Sequence, residues 1–253
     1  MDGIENFDPL KFDPQVWYFS ADLPDFCFNR LTHTYYFKKQ VIPGFSKIKE
    51  ICGIGENKFS NKPEYAERGS FIHLLCEGVA MKKMDWNKLE QMYGENGEEI
   101  HRYGHISGHV RSYDRFLEHY KFKIKHCEKP MYHPNMLYGV TEDNIGEFHP
   151  NSPIWRENGF QNISYREGLE FIVELKSGVV PWWAAIQTAA QAMAYKPDSF
   201  QHVGRLAIGL NKNGNLPRPK LFSDPGDFHS FTAWHRTAMD KIKNGEYKLE
   251  EAA

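Results

Sequence analysis

The stretch LEFIVELKSG, residues 169–178, most narrows what this chain can build. It is a short, largely apolar run, ended by Ser177 and Gly178, that carries charges of both signs. Alternate side chains of a strand point to opposite faces. Phe171, Val173 and Leu175 therefore share one face, and Ile172, Glu174 and Lys176 the other. A carboxylate and an ammonium project together from a β edge beside apolar neighbours. Glu binds hard cations such as Mg²⁺ through oxygen. Lys, a point charge, holds a water or offsets charge on a phosphate oxygen. The same E-x-K pattern also suits a plain ion pair, so the surrounding segments matter.

Those segments fix the fold class. Trp182 to Tyr195 reads as a helix through Trp183, Ile186, Ala190 and Met193. HVGRLAIGL (202–210) reads as a strand followed by an Asn213-Gly214 turn, and a last helix holds Phe231, Trp234, Ala238 and Ile242. Upstream, Phe26 to Phe37 reads as a hairpin, and FSKIKEICG (45–53) as a helix closed by Gly53. Pro63 opens a helix that carries His73 and Glu77 on one face. Ile106, Val110, Tyr113, Phe116, Leu117 and Tyr120 mark an amphipathic helix. Lys121 to Glu128 and Leu137 to Thr141 read as strands, the second running into a turn at Asp143 and Asn144. Residues 147–167, rich in Asn, Pro, Gly and charge, read as an insertion, a loop or hairpin rather than core. This order predicts an α/β fold with a central mixed β-sheet flanked by helices, one domain over 1–253 with 1–25 as an N-terminal extension.

Composition narrows the function classes. With 41% hydrophobic and 25% charged residues the chain has the make-up of a globular protein. A net charge of −2 does not exclude a nucleic-acid partner, because phosphate contacts need only local Lys and Arg. No apolar run approaches the roughly 18 residues of a membrane span. The acidic N-terminus lacks a signal-peptide layout, so a cytoplasmic protein without a membrane partner is expected. Cysteines at 27, 52, 76 and 127 form no C-x-x-C pair, and reduced, mostly buried thiols are the expectation. His126, Cys127 and His133 lack a familiar zinc spacing.

Candidate chemistry gathers around the E-x-K strand. Asp143, in YGVTEDNIG, would give with Glu174 the two carboxylates of a hydrolytic metal site, although Asp is common in turns for local reasons. His73 could add a nitrogen ligand, oriented by Glu77 from the next turn. Gln187 and Gln191 follow on the next helix. Trp182 and Trp183 could stack on bases, with core packing the plainer role.

Together these segments resemble the RecB-like, phage-type exonuclease branch of the PD-(D/E)xK nuclease superfamily, in order from about Phe26 to Ile242. FNRLTHTYYFKKQVIPGFSKI resembles its opening hairpin, and AERGSFIHLLCEG its G-x-x-x-H-x-x-x-E helix, with Gly69, His73 and Glu77 on the motif. KHCEKPMYHPNMLYGVTEDNIG is similar to its E-x-P-x-Y … Asp-x-x-Gly strands, which puts Glu128 in a supporting position and Asp143 on the metal-binding Asp. FIVELKSG matches (D/E)-x-K, and PWWAAIQTAAQAMAY the helix after it. Thr141 stands where the family often has Gly, which leaves Glu142 as a rival to Asp143. Gln187 lies at the expected distance from Lys176, whereas Gln191 with Tyr195 keeps the Q-x-x-x-Y spacing one turn later.

The resemblance implies a restriction-endonuclease-like core and Mg²⁺- or Mn²⁺-dependent hydrolysis of DNA phosphodiesters. Asp143, Glu174, the Leu175 carbonyl and His73 would hold the metal. Lys176 would serve the attacking water, and Gln187 would position Lys176 or the DNA. Glu77, Glu128, Gln191 and Tyr195 are supporting candidates. An exonuclease working on duplex DNA with a free end in phage-type recombination or replication, beside a single-strand annealing protein, in a bacterial host, is the favoured form. An endonuclease of defence or DNA processing and a catalytically silent DNA-binding adaptor are the alternatives. No cysteine follows Cys127, so no iron–sulfur cluster is expected.

Overall fold

Residues 170–176 have apolar side chains on both faces, and such a strand must be covered on both sides. A computed structural model describes residues 17–20, 23–30, 32–54, 63–94, 106–157, 159–160, 163 and 165–249. In it the run forms β7 (Glu170–Lys176), third in a five-stranded sheet ordered β5 (Phe122–Tyr132), β6 (Gly139–Phe148), β7, β8 (Gly204–Gly209), β9 (Pro219–Leu221). The β7–β8 pair is parallel and the others antiparallel, so the sheet is mixed. A second sheet is an antiparallel meander of β1 (Trp17–Ser20), β2 (Leu23–Asn29), β3 (Thr34–Phe37) and β4 (Gln40–Ile42). The hairpin at 26–37 is therefore the centre of a larger unit.

Helices cover both faces of the larger sheet. Phe171, Val173 and Leu175 pack with α2 (Pro63–Ala80), α3 (Trp86–Tyr93) and α4 (Ser107–His119), through Ile72, Leu75, Leu89, Val110, Tyr113 and Phe116. Ile172 and Ile145 pack on the other side with α1 (Phe45–Ile51), α5 (Ala184–Tyr195) and α6 (Gly226–Lys243), through Ile48, Ala190, Met193 and Phe231. The helix ends follow local chemistry. Asp85 caps α3 by accepting from the backbone N–H groups of Asn87 and Lys88 at 3.0 Å. The chain leaves α1 through Gly53 at φ +68°, the left-handed turn that Gly adopts without steric cost.

Two expected local structures differ. Asp143 and Asn144 do not form a turn, because β6 runs through them to Phe148. Their polar groups are met by tertiary partners instead: the Asn144 side-chain oxygen accepts from the buried Tyr113 hydroxyl at 2.7 Å. The 147–167 stretch starts inside that strand and sends fully buried Ile154 and Phe160 into the core. Among the cysteines, all free, Cys76 is buried and Cys27, Cys52 and Cys127 are half-buried. No helix of the described residues is long and apolar enough to cross a membrane.

The small sheet is fastened beside the cleft by Tyr35. Its ring lies against Gly139 and Gly44, its hydroxyl meets the Thr141 hydroxyl at 2.9 Å, and Gly139 N–H donates to the Pro43 carbonyl. A Cβ on Gly139 would fall 2.1 Å from the Tyr35 ring. Gly139→Ala is expected to destabilise by about 1–3 kcal/mol through that overlap, and Tyr35→Phe by about 1 kcal/mol through the lost hydrogen bond. Urea unfolding should rank them in that order; equal midpoints for Gly139→Ala and the parent would show that the contact is not tight.

Candidate active site

The ladder between β6 and β7 is regular from Glu147↔Glu170 to Asn144↔Val173 and ends there. One residue further the strands part, and the Leu175 N–H donates to Asp143 Oδ2 at 2.5 Å rather than to a backbone carbonyl. On the β6 side the Thr141 carbonyl accepts from Gln191 Nε2 at 3.1 Å. The gap opens into a cleft of about 600 Å³ whose lining includes His73, Glu128, Asp143, Glu174, Gln187 and Gln191.

Three elements bring the first group together. His73 of α2 places Nδ1 3.1 Å from Asp143 Oδ1 and 3.8 Å from Glu128 Oε1. One ligand atom from each of these residues lies within 4.8 Å of the others. Glu128 projects from β5 at a left-handed φ of +46°, an uncommon conformation for Glu that coincides with the site. Among the described residues this is the grouping with metal-ligand proximity, and His126, Cys127 and His133 do not join it.

Glu174 stands beside the group with its carboxylate oriented from outside. Lys176 Nζ and Gln187 Nε2 donate to its Oε1 at 2.6 and 2.7 Å, and Gln191 Nε2 donates to its Oε2 at 2.7 Å. Lys176 Nζ also donates to Gln187 Oε1 at 3.0 Å and lies 4.9 Å from the centroid of the Trp183 ring. Both glutamines thus donate to Glu174, one helical turn apart on α5.

The remaining expectations fall as follows. Leu175 buries its side chain in the core, and its amide serves Asp143. Glu142 is fully buried and lies outside the cleft lining. Glu77 lines the cleft, and its carboxylate lies 4.0 Å from Arg30. Tyr195 bonds Glu170 at the opposite end of β7. Trp182 is 62% exposed, so the core role suggested for it does not hold, whereas Trp183 packs against the α1–α5–α6 cluster. Sequence reasoning gave Glu128 only a supporting place. Its approach to His73 and Asp143 depends on the long β5–β6 pairing, for which the sequence shows no local signal.

Burial and mutual repulsion set the electrostatics. Burial and the Asp143 charge push the Glu128 carboxyl up to about 8, with His73 acting in the opposite sense. The same two causes raise Glu174 against the pull of Lys176. Burial opposes charging of His73, but the Asp143 carboxylate outweighs it and raises the imidazole to about 9. Asp143 itself is held below its usual range, because His73 and Lys176 outweigh its burial. Carboxylates crowded until one retains a proton, joined by an imidazole, fit a divalent cation that prefers oxygen and accepts nitrogen.

The sign of the pH dependence follows. In the metal-free protein the His73 pair stabilises the fold fully below the imidazole's ordinary value near 6.5, and this is lost as pH rises through about 9. A cation must displace that proton and the one on Glu128. Calorimetric Mn²⁺ affinity is expected to climb from pH 6.5 to 9, with protons released on binding, and His73→Ala should flatten the slope. A pH-independent affinity would count against this ligand set.

No family model and no curated protein matches the chain. Among solved structures, the chain is similar to a "putative exonuclease" from Eubacterium rectale, with 14% identity, 81% of this chain and 76% of that chain covered, and a TM-score of 0.43.

Proposed function

We propose that this chain is a metal-dependent deoxyribonuclease of the PD-(D/E)xK type, on a restriction-endonuclease-like core, and that it acts by preference on DNA ends. One observation carries the reading: Asp143, Glu128 and Glu174 converge with His73 in one cleft, and Lys176 is held beside them by Glu174 and Gln187. This is the residue set that phosphodiester hydrolysis needs, and it joins the separate segments on which the family resemblance rests.

Asp143, Glu128 and His73 would hold Mg²⁺ or Mn²⁺, with Glu174 and the Leu175 carbonyl completing the set. A cation there supplies a lowered pKa for bound water and charge neutralisation at the scissile phosphate. The protein's own part is orientation. Gln187 and Gln191 fix both oxygens of Glu174 before substrate arrives, so no reorganisation is needed at the moment of reaction. Lys176, anchored at two points, places a positive charge where an attacking water and the growing charge on phosphate would sit. Gln187 touches Glu174 and Lys176 together and keeps them in register.

The test uses linear and covalently closed duplex DNA with Mg²⁺, Mn²⁺ or EDTA, alongside Lys176→Ala and Gln187→Ala. Metal-dependent loss of linear DNA alone is expected. Lys176→Ala should lower the rate by at least about a hundredfold, the scale for removing one preorganised electrostatic group. Gln187→Ala should cost less, because Gln191 still holds Glu174. Nicking of the circle would make the enzyme an endonuclease. Binding without cleavage in either metal would make it a silent adaptor.

A further inference from the structure

Beyond the carboxylates, the loop after β7 carries apolar surface that the fold leaves uncovered. Val179 is 94% exposed and Trp182 62% exposed, although both follow directly on the strand that ends at Lys176. Trp182 meets the Trp234 ring edge-on at 5.9 Å, and Trp234 in turn lies 6.4 Å from Phe45. Phe45 lies 6.4 Å from Trp183, whose ring is under Lys176. Ring contacts therefore lead from the buried Phe45, which forms part of the cleft wall, through Trp234 to Trp182 in solvent.

A second cation marks this strip. Lys49, on α1, places Nζ 4.0 Å from the centroid of the Trp183 ring that Lys176 also approaches. Among the described residues no carboxylate pairs with Lys49. Its burial, and after it the charge of the nearby Lys176, lower its pKa. Exposed aromatic surface beside Lys49, which no carboxylate among the described residues pairs, matches a single-stranded nucleic acid: bases stack on the rings and a phosphate meets the cation. A regular duplex hides its base faces inside the stack and gains nothing from an exposed indole.

We infer that the Val179–Trp182 loop, with Trp234 and Lys49, is a binding platform for an unpaired DNA strand, with one base on Trp182 and a neighbouring phosphate at Lys49, so that frayed or single-stranded ends are the preferred substrates. The inference rests on the reading of the cleft as a DNA phosphodiester site and adds the form of DNA that enters it.

Binding in EDTA tests it without cleavage. Fluorescence anisotropy is measured with a labelled oligo-dT strand and with a blunt duplex, for the parent protein, Trp182→Ala, Trp182→Phe and Lys49→Gln. Trp182→Ala should weaken single-strand binding roughly tenfold or more and leave the blunt duplex unchanged, with Trp182→Phe retaining most of the affinity. Lys49→Gln should reduce the salt slope of single-strand binding by about 0.7, the share of one phosphate contact. Equal effects of Trp182→Ala on both DNAs, or none on either, would overturn the platform. So would sedimentation showing that Trp182→Ala breaks apart an oligomer of the parent, because a second copy would then cover the loop. Metal-dependent cleavage is measured on the same preparations. Its absence with the binding pattern intact would remove the hydrolytic reading and leave the platform standing; its presence with an indifferent Trp182→Ala would do the reverse.

Discussion

The site depends on one broken rung. β6 and β7 pair normally up to Asn144 and Val173, and then the Asp143 carboxylate takes the Leu175 amide that a strand carbonyl would otherwise hold. Buried backbone N–H groups must be paired, so the carboxylate is both a structural acceptor and a site group. The parting strands free the Thr141 carbonyl, which Gln191 satisfies while its amide also reaches Glu174. Separation, cleft and oriented carboxylates are one feature of the sheet.

Packing elsewhere holds this opening in place. The α2 face that buries Ile72 and Leu75 also presents His73 to Asp143. The α5 face that buries Ala190 and Met193 sets Gln187 and Gln191 one turn apart over Glu174. On the third side Tyr35 ties the small sheet to β6 at Gly139 and Thr141. Each wall is positioned by apolar burial and delivers a polar group into the cleft. The electrostatic consequence is a crowd of carboxylates, with Glu128 raised to about 8 and Glu174 also raised, that the chain's own cations only partly offset.

The polar groups divide into those that point inward and those that lead outward. Asp143, Glu128 and His73 face one another, and Glu174 is gripped by amides. Lys176 belongs to both sets, bonded to Glu174 on one side and lying over Trp183 on the other. Trp183 in turn contacts the buried Phe45, from which ring contacts lead through Trp234 to the exposed Trp182.

The alternation in FIVELK determined by itself that Glu174 and Lys176 share a face, because strand geometry is local and has period two. Helix spacing likewise set His73 on α2 and both glutamines on α5, and the Gly53 and Pro63 boundaries follow from backbone preferences of single residues. What lay beyond the sequence is whatever depends on partners distant along the chain. Asp143 and Asn144 look like a turn until Tyr113 and Leu175, more than thirty positions away, meet their side chains. Glu142 and Asp143 differ only in which neighbour surrounds them, and the structure buries the first and opens the second to the cleft. Glu128 joins His73 through strand pairing, and Trp182 stays exposed because no element among the described residues covers that loop. Local rules act through bonds and a few residues of chain; clusters of distant side chains and exposed surfaces are made by packing, which only the folded chain decides.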